Sequence, residues 1–464
     1  MPGRERSPEH GPECLPVRGL DLWHRPFRLP LEESASVLAL MFFAVQGAVP
    51  GIAPAEALAA NVAAPTPLMR VGGMAAQALV YGLIALLLLR WRRPMLAALP
   101  RMQFALLLTL WVLATAAWSL DPALTLRRGV EFALAGGFGL YLAVRYSAQK
   151  QLRIFWWALV LMAAGSVVAA LAFPAVGLDR SAGHLQDWKG VFTQKNACGR
   201  MMVLATAVVL AMRRRGVAVA ASAVLFVGVL GMSGSRGAWV LEAVLLAAAA
   251  LFAGLRRAER RTRAGVLLAA GVAGVASFAL LYAGRARLME WMGRNATLSG
   301  RTEIWQAVWP FVMRKPWLGW GYAAFWRGWT GPSFDVSAAV HFLVFHAHNG
   351  YLDLWLQTGA AGLGLFLLAY GRAWLCVGQS LMRGQAPQQN QMRGLLWPVS
   401  LLLVVGLYGL DENTVLIPNG IFWTVLVMAM VQLEPGGLRK SVAARLRGRA
   451  KARTAYAPGA VSAR

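Results

Sequence analysis

The chain has 464 residues, of which 58% are hydrophobic and 14% are charged, and its formal net charge is +26. Soluble domains contain about 45–50% apolar and about 25% charged residues, so this composition excludes an ordinary soluble fold. The basic residues lie mainly between long apolar runs, which argues against nucleic acid as a partner and for a membrane protein. Cys14, Cys198 and Cys376 lie far apart, without the spacing of a metal site or a disulfide framework.

Residues 1–34 are polar and basic and lack the apolar core and cleavage site of a signal peptide, so they are predicted to form a tail. From residue 35 to residue 433 the sequence predicts an all-α polytopic membrane domain, because segments of about 20 mostly apolar residues recur. The roughly twelve predicted spans begin near Ala35, Val71, Met102, Val130, Ile154, Val191, Val217, Ala238, Ala264, Asn349, Gly394 and Gly420. Residues 434–464 form a second basic tail.

The connections between these spans alternate in charge. The two tails and the five connections on one side contain 31 of the 46 Lys and Arg residues. Short basic connections stay in the cytoplasm, so both termini are predicted to be cytoplasmic in a bacterial inner membrane. The other loops then face the periplasm: Pro50–Arg70, Trp118–Arg128, Leu178–Gly190, Ser233–Gly237, Gly284–His348 and Asp411–Asn419.

The periplasmic loop 284–348 is by far the longest connection and is rich in Trp, Arg and His. Loops of this length are usually functional, although Trp residues also serve as interfacial anchors. The cytoplasmic connections are too short for a nucleotide-binding domain, and the sequence has no phosphate-binding loop and no D-x-D pair. A reaction on the periplasmic side must therefore take its driving force from the substrate, and we expect no cofactor.

Three polar clusters lie at predicted membrane boundaries on the periplasmic side. They are Ser233–Gly237, Ser299–Trp305 and His346–Leu352. An arginine costs about 2.5–3.5 kcal/mol at the centre of a span and binds phosphate oxygens bidentately, so Arg236 and Arg301 are candidates for binding a lipid-linked diphosphate. A histidine can take a proton from an attacking sugar hydroxyl, and His348 is the candidate base. This hypothesis requires that the fold bring the clusters together.

Both arginines also have plainer interpretations. Arg236 would suit a side chain that snorkels to the membrane surface beside a helix end. Arg301 would suit an ion pair with Glu303 or Glu290 in a solvated loop.

The histidines also allow alternatives. His348 would suit an ordinary interfacial histidine. His341, His346 and His348 offer three imidazoles for a metal ion, but residues i and i+2 point to different faces of a helix, and we expect no metal.

These clusters resemble the O-antigen ligase and polymerase superfamily, which comprises bacterial membrane glycosyltransferases that use polyprenyl-diphosphate-linked glycans. The resemblance rests on four motifs and on the Trp118–Pro122 loop. The motifs are Gly190–Asn196, Ser233–Trp239 with Arg236, Gly300–Trp305 followed by Pro316 and Gly319–Gly321, and His348–Leu352. They span roughly residues 118–367, a little over half of the chain.

The resemblance implies a mostly helical membrane fold with a periplasmic loop over a lateral cavity. It implies metal-independent, inverting transfer in which a hydroxyl displaces polyprenyl diphosphate. His348 would be catalytic, and Arg236 and Arg301 would bind the diphosphate. Possible substrate contacts are Lys195, Glu303, Asn349 and Tyr351. The family often has a Glu shortly after the His-Asn motif, where this chain has Gln357, which cannot supply a charge.

The implied donor is an undecaprenyl-diphosphate-linked glycan in the lipid bilayer. The implied acceptor is either lipid A core, as for an O-antigen ligase, or a growing polysaccharide, as for a polymerase of O-antigen or exopolysaccharide repeat units. A single long loop without a large extra soluble domain favours these two over protein glycosylation. The sequence favours a ligase only slightly.

A transporter or flippase is an alternative function. It would require charged residues within spans. The candidates are Glu131, near Arg127 and Arg128, and Glu242, six residues after Arg236. Both glutamates also suit buried partners of those arginines.

An intramembrane serine protease is a second alternative. Ser233 lies in a Gly-x-Ser-Gly segment, and His348 would supply the base from a later span. The many spans and the periplasmic arginines fit this class poorly.

Overall fold

The computed structural model describes residues 30–45, 67–179, 186–212, 216–255, scattered positions from 258 to 272, 300–382, 389–415 and 417–434. Within these ranges the chain forms helices and loops, and no β-strand. The α-helices are α1 (Leu31–Ala44), α2 (Pro67–Arg90), α3 (Arg92–Leu96), α4 (Gln103–Ala114), α5 (Pro122–Arg145), α6 (Ala148–Ala172), α7 (Pro174–Gly177), α8 (Lys195–Ala211), α9 (Val217–Met232), α10 (Arg236–Leu255), α11 (Arg301–Arg314), α12 (Pro332–Val340), α13 (Gly350–Met382), α14 (Gln389–Asp411) and α15 (Ile421–Leu433).

This architecture is that of an all-α polytopic membrane protein, as predicted. Each predicted span except the ninth coincides with a described helix, and the ninth, from Ala264, lies largely outside the described residues. In the described part of the chain, six segments are long and apolar enough to cross a membrane by length and composition: Val71–Arg90, Leu99–Trp118, Ala148–Ala172, Arg236–Leu255, Gly350–Leu381 and Gly394–Asp411. The helices α9 and α15 are shorter but also apolar.

Contacts between residues at the helix termini define two ends of the bundle. The end that contains Gly234, His348 and Asp411 is called the site end here, and the end that contains Arg145 and Glu434 is called the opposite end. The described loops that the charge pattern predicts on one side of the membrane all lie at the site end. The predicted tails fall almost entirely outside the described residues.

The middle of the bundle is formed by α5 and α15, which approach each other through small residues. Almost every side chain of α15 is buried, which explains its uniformly apolar sequence. A methyl group on Gly139 would lie 2.2 Å from the carbonyl oxygen of Thr424. The Thr424 hydroxyl donates a hydrogen bond to the carbonyl oxygen of Ala135 at 3.0 Å. Small residues are what permit such close packing of membrane helices.

At the opposite end, Glu32 fastens α1 to the bundle. Its carboxylate accepts two hydrogen bonds from Arg145, each 2.9 Å long. It also accepts hydrogen bonds from the Trp91 indole at 2.8 Å and the Tyr141 hydroxyl at 3.0 Å. One carboxylate therefore joins α1 to α5 and to the residue that follows α2.

Residues 300–349 fold over the site end as α11, α12 and the turns around them. They share a small apolar core with the start of α13, made by Ile304, Val308, Phe311, Val312, Phe325, Val336, Val344 and Leu356. The buried Asp353 accepts hydrogen bonds from the Trp326 indole at 2.8 Å and the Ala347 N–H at 3.2 Å. This part of the predicted long loop is therefore packed, while residues 284–299 lie outside the described residues.

The close contact between α5 and α15 gives the first prediction. Gly139→Ala forces a methyl group against the backbone of Thr424, and we expect a loss of about 1–3 kcal/mol of stability through overpacking. The matched control is Gly82→Ala on α2, where the added methyl group meets no atom within 4 Å. Thermal unfolding in one detergent compares the two variants, and equal melting temperatures would contradict this packing.

Candidate functional site

The site end is organised around Glu412, which directly follows α14 and is only 1% exposed. Asn196 Nδ2 donates a hydrogen bond to Glu412 Oε1 at 3.1 Å, and Arg301 Nη2 lies 3.5 Å from the same oxygen. On the other oxygen, Oε2, His348 Nδ1 lies at 3.3 Å and His346 Nε2 at 3.7 Å. Four side chains from three separate segments therefore meet at one carboxylate.

This carboxylate is ionised although it is buried. Burial raises the pKa of a carboxyl group, but the two histidines and Arg200 outweigh this effect and hold the pKa of Glu412 below its ordinary value of 4.5. Arg200, on α8, is itself only 1% exposed, and its Nη1 lies 3.5 Å from the carbonyl oxygen of Asn413. A buried charge is tolerated only where opposite charges and donors surround it, and Glu412 meets this condition.

The two histidines lie in the loop before α13 and not on a helix. His348 has a left-handed backbone with a φ of 48°, and its N–H donates a hydrogen bond to His346 Nδ1 at 3.2 Å. The two ring centres are 4.0 Å apart. Burial first, and His348 second, lower the pKa of His346 from 6.5 to about 3, so this imidazole is neutral at physiological pH.

Each of the two candidate arginines begins a helix near Asp411. Arg301 is the first residue of α11, and its Nη1 contacts Asp411 Oδ1. Arg236 is the first residue of α10 and is exposed, and among the described residues it forms no hydrogen bond or ion pair. Its neighbour Gly237 is packed on the same aspartate, because a methyl group there would lie 2.5 Å from Asp411 Oδ2.

Lys195 lies on a different part of the site end. Its Nζ lies 2.6 Å from Asp187 Oδ2, and that carboxylate packs against Gly234. The next residue, Asn196, accepts a hydrogen bond from the Ser235 hydroxyl at 3.2 Å and donates to Glu412. Asn196 therefore connects the Ser233–Trp239 motif to the carboxylate.

The fold brings one residue from each of the four motifs to one place. Asn196, Arg301 and His348 contact Glu412, and Ser235, which precedes Arg236, is bonded to Asn196. The proximity that the proposed chemistry requires is thus present for His348 and Arg301.

Three further predicted substrate contacts form no hydrogen bond or ion pair with Glu412 among the described residues. Glu303 accepts a hydrogen bond from the Thr302 hydroxyl at 3.0 Å and, within the described residues, has no ion pair with Arg301. The Asn349 side chain accepts from the N–H groups of Tyr351 and Leu352 at the start of α13. The Tyr351 hydroxyl donates to the carbonyl oxygen of Gly406 at 2.7 Å, which joins α13 to α14. Their contact with substrate stays a prediction.

Sequence reasoning missed Asp411, Glu412 and Arg200. The two acidic residues stand at the boundary of a predicted span, on the same predicted side as Arg236, and Arg200 lies inside an apolar run. All three are charged residues near or inside the membrane, which is the sequence signal that marks them as functional candidates. Gln357 accepts a hydrogen bond from the Ala323 N–H at 2.8 Å, and the carboxylate beside His348 is that of Glu412, just after α14.

His346, His348 and Glu412 each present a donor atom within 4.8 Å of the others, as a metal site requires. The tautomer of His346 argues against binding of a metal ion. Because His346 Nδ1 accepts a hydrogen bond, neutral His346 carries its proton on Nε2, facing Glu412. A histidine that binds a metal instead donates from its other nitrogen. Arg301 also lies beside the same carboxylate, so the residues fit a hydrogen-bonded network better than a cation site.

The protease alternative is not supported by the position of Ser233. Its hydroxyl is fully buried and donates to the carbonyl oxygen of Leu230 at 2.7 Å. His348 faces Glu412 and is not bonded to this hydroxyl in the described part of the chain.

The two glutamates considered for a transport path differ. Glu131 forms ion pairs with Arg127 at 3.5 Å and Arg128 at 2.9 Å, so the interpretation as their buried partner is confirmed. Glu242 is buried on α10, and no ion pair joins it to the exposed Arg236 among the described residues.

Residues 221–367 match the model of a protein family described as O-Antigen ligase. This region contains Arg236, Arg301 and His348. The resemblance to the O-antigen ligase and polymerase superfamily is therefore confirmed for residues 221–367 of this multi-pass membrane protein.

A longer stretch of the chain is similar to the exopolysaccharide production protein ExoQ of Rhizobium meliloti (strain 1021). The two sequences are 28% identical over 325 residues, which cover 64% of this chain and 69% of ExoQ.

The buried position of Glu412 gives a stability prediction. Glu412→Gln removes the buried negative charge beside Arg200 and one of the two carboxylates beside Arg301, and we expect a loss of about 1–3 kcal/mol in the free energy of unfolding. The control Glu434→Gln breaks the ion pair with Arg372, which is 51% exposed, and should cost less than about 1 kcal/mol. Equal losses would contradict a special role for burial at Glu412.

The neutral state of His346 gives a prediction on pH. Between about pH 3 and pH 6.5 the unfolded chain binds a proton at this residue that the folded chain does not. Its contribution to stability is therefore complete above pH 6.5 and falls as the pH falls, by about 1–2 kcal/mol between pH 7 and pH 5. The folded pKa of Glu412 is also depressed, so that group adds a loss only below about pH 4.5. Melting temperatures measured from pH 7 to pH 5 should fall less for His346→Gln than for the native chain.

Proposed function

We propose that this protein transfers a glycan from undecaprenyl diphosphate to a hydroxyl acceptor at the periplasmic face of the bacterial inner membrane. The observation that supports this most directly is the cluster around Glu412, which has His348 at 3.3 Å and Arg301 at 3.5 Å. A base and a phosphate-binding cation are then close enough to act on one substrate, and holding reacting groups in place is a large part of catalysis.

His348 serves as the general base in this proposal. With Glu412 Oε2 3.3 Å from Nδ1, the proposal places the imidazole proton on Nδ1, which leaves the lone pair of Nε2 free. The side chain is 30% exposed, so an acceptor hydroxyl has access to it. When Nε2 takes the hydroxyl proton, the imidazolium that forms is stabilised by Glu412, as in other carboxylate–histidine pairs.

The arginines stabilise the leaving group. The acceptor oxygen bonds to the anomeric carbon, the bond from that carbon to the diphosphate breaks, and the diphosphate departs with the electron pair. Arg236 is exposed and, among the described residues, has no acidic partner, so its guanidinium is available to the anion. Arg301 contacts Asp411, which is 37% exposed and holds the guanidinium in place before the donor binds.

The donor carries its own leaving group, so the proposed transfer needs neither a cofactor nor a metal and inverts the anomeric configuration. Lys195 and Glu303 lie near the motif residues and are proposed to contact the glycan or the diphosphate. Asn349 and Tyr351 would act on the substrate only through the loop that they hold in place.

The orientation in the membrane is part of the proposal. The basic connections Arg90–Arg101 and Arg145–Arg153 lie at the opposite end, which would then face the cytoplasm together with both termini. The site end would face the periplasm, where a flipped lipid-linked glycan is presented.

The acceptor distinguishes two versions of the proposal. The matching family is described as O-Antigen ligase, which suggests transfer to lipid A core. The similarity to ExoQ, an exopolysaccharide production protein, suggests a growing polysaccharide. Both versions use the same base and the same leaving group, so the site alone serves either acceptor.

His348→Gln tests the base. We expect transfer by the purified protein in lipid nanodiscs to fall by about 10²–10⁴-fold, because general-base catalysis is lost, while donor binding is retained. His341→Gln is the matched control, since His341 lies on the same loop with a left-handed φ of 63° and is exposed. Equal activity of the two variants would overturn the assignment of the base.

Deletion of the gene tests the acceptor. Long, finished chains on the lipid carrier, with bare lipid A core, would indicate a ligase. Single repeat units would indicate a polymerase. An unchanged glycan profile in a strain that makes surface polysaccharide would refute both versions.

A further inference from the structure

The outward face of α11 and of the turn that follows it is apolar and exposed. Trp309, Met313, Trp317 and Leu318 are 48%, 43%, 72% and 46% exposed, and we call these four residues the aromatic ridge. The inward face of the same helix is already packed in the small apolar core of the loop. The ridge is therefore not required for the folding of the loop, and water is an unfavourable environment for so much apolar surface.

The end of the span Leu99–Trp118 shows how deep the ridge lies. The Trp118 indole donates a hydrogen bond to the carbonyl oxygen of Leu318 at 3.0 Å. Trp118 is the last residue of an apolar segment of 20 residues, which is the length needed to cross the hydrocarbon core. The turn that carries Leu318 is therefore held at the depth where this span leaves the hydrocarbon core.

The helix α13 gives the same depth independently. Its apolar segment Gly350–Leu381 has 32 residues, too many for one crossing, and it breaks at Gly359, where φ is 71°. The part beyond this break extends about 33 Å, which matches a hydrocarbon core of about 30 Å. The Ala360 N–H donates to the carbonyl oxygen of Pro316 at 2.8 Å, so the turn at Trp317 packs on the break itself.

Two cations accompany the ridge. Arg314 is exposed at the end of α11, and Lys315 follows it. Both charged groups lie over aromatic rings of the loop: the Arg314 guanidinium is 4.9 Å from the Phe311 ring centre, and the Lys315 ammonium is 4.5 Å from that of Trp320. Tryptophan beside Lys or Arg is the side-chain combination that suits a membrane interface, with the rings among the headgroups and the cations near phosphate.

We propose that the aromatic ridge inserts into the interface of the membrane leaflet on the site side, with Arg314 and Lys315 at the lipid phosphates. Trp309 and Met313 of the ridge lie on the same helix as Arg301, so insertion constrains the depth of that arginine relative to the headgroups. The depth proposal stands on the spans alone, and only its consequence for a lipid-linked diphosphate rests on the proposed function.

The native protein can be tested without substitution. It is reconstituted in a phosphatidylethanolamine–phosphatidylglycerol bilayer that contains a phospholipid with a photoreactive group just below its headgroup. After illumination we expect lipid adducts on peptides that contain Trp309 to Leu318, and none on peptides that contain Trp329 and Phe334, which are equally exposed. Adducts only on the peptides that contain Trp329 and Phe334, or on none of these peptides, would overturn the proposal.

Spin labels give a second measurement that does not depend on activity. Labels at Met313→Cys and Trp317→Cys, in a chain without its native cysteines, are compared with a label at Phe334→Cys. In the bilayer we expect the ridge labels to collide several-fold more with oxygen than with a water-soluble nickel chelate, and the control label to show the reverse. Greater access of nickel at both ridge positions would refute insertion. If added glycan, but not lipid, protected them, the ridge would be a glycan surface instead.

Discussion

A single buried carboxylate determines how the site end is built. Glu412 is removed from water, so it requires positive charge and hydrogen-bond donors on both of its oxygens. Asn196 and Arg301 contact one carboxylate oxygen, and the two histidines contact the other. These partners come from α8, from α11 and from the loop before α13. The need to compensate one charge therefore draws together segments that are distant in the sequence.

At the opposite end, a carboxylate surrounded by donors has a purely structural role. There Glu32 joins α1 to the bundle through Arg145, Trp91 and Tyr141, and all of its partners are donors with fixed positions. Around Glu412, by contrast, two partners are imidazoles, whose protons can move, and a third is the partly exposed guanidinium of Arg301, a group that binds anions. The difference between a structural hub and a candidate reactive one lies in the chemistry of the partners and not in the carboxylate.

The helices and the motifs could be predicted because they depend on local sequence. Apolar runs of span length predicted all of the described spanning helices, and the boundary charges singled out Arg236, Arg301 and His348. Glu412 could not be placed beside His348, because 63 residues separate them and only the packing of α13 against α14 joins them. The side-by-side arrangement of His346 and His348 also escaped prediction, because it depends on a left-handed residue in a loop and not on any periodic pattern.

The sharing of Glu412 also limits how such a protein can evolve. A substitution at any one of its four partners changes the electrostatic environment of the other three, so we expect the four residues to be conserved together. Drift in one member would be tolerated only with a simultaneous change in another. New preferences for sugar or acceptor should therefore arise at surface positions of the loop that do not touch Glu412, such as Trp329 or Phe342, where a substitution leaves the shared carboxylate undisturbed.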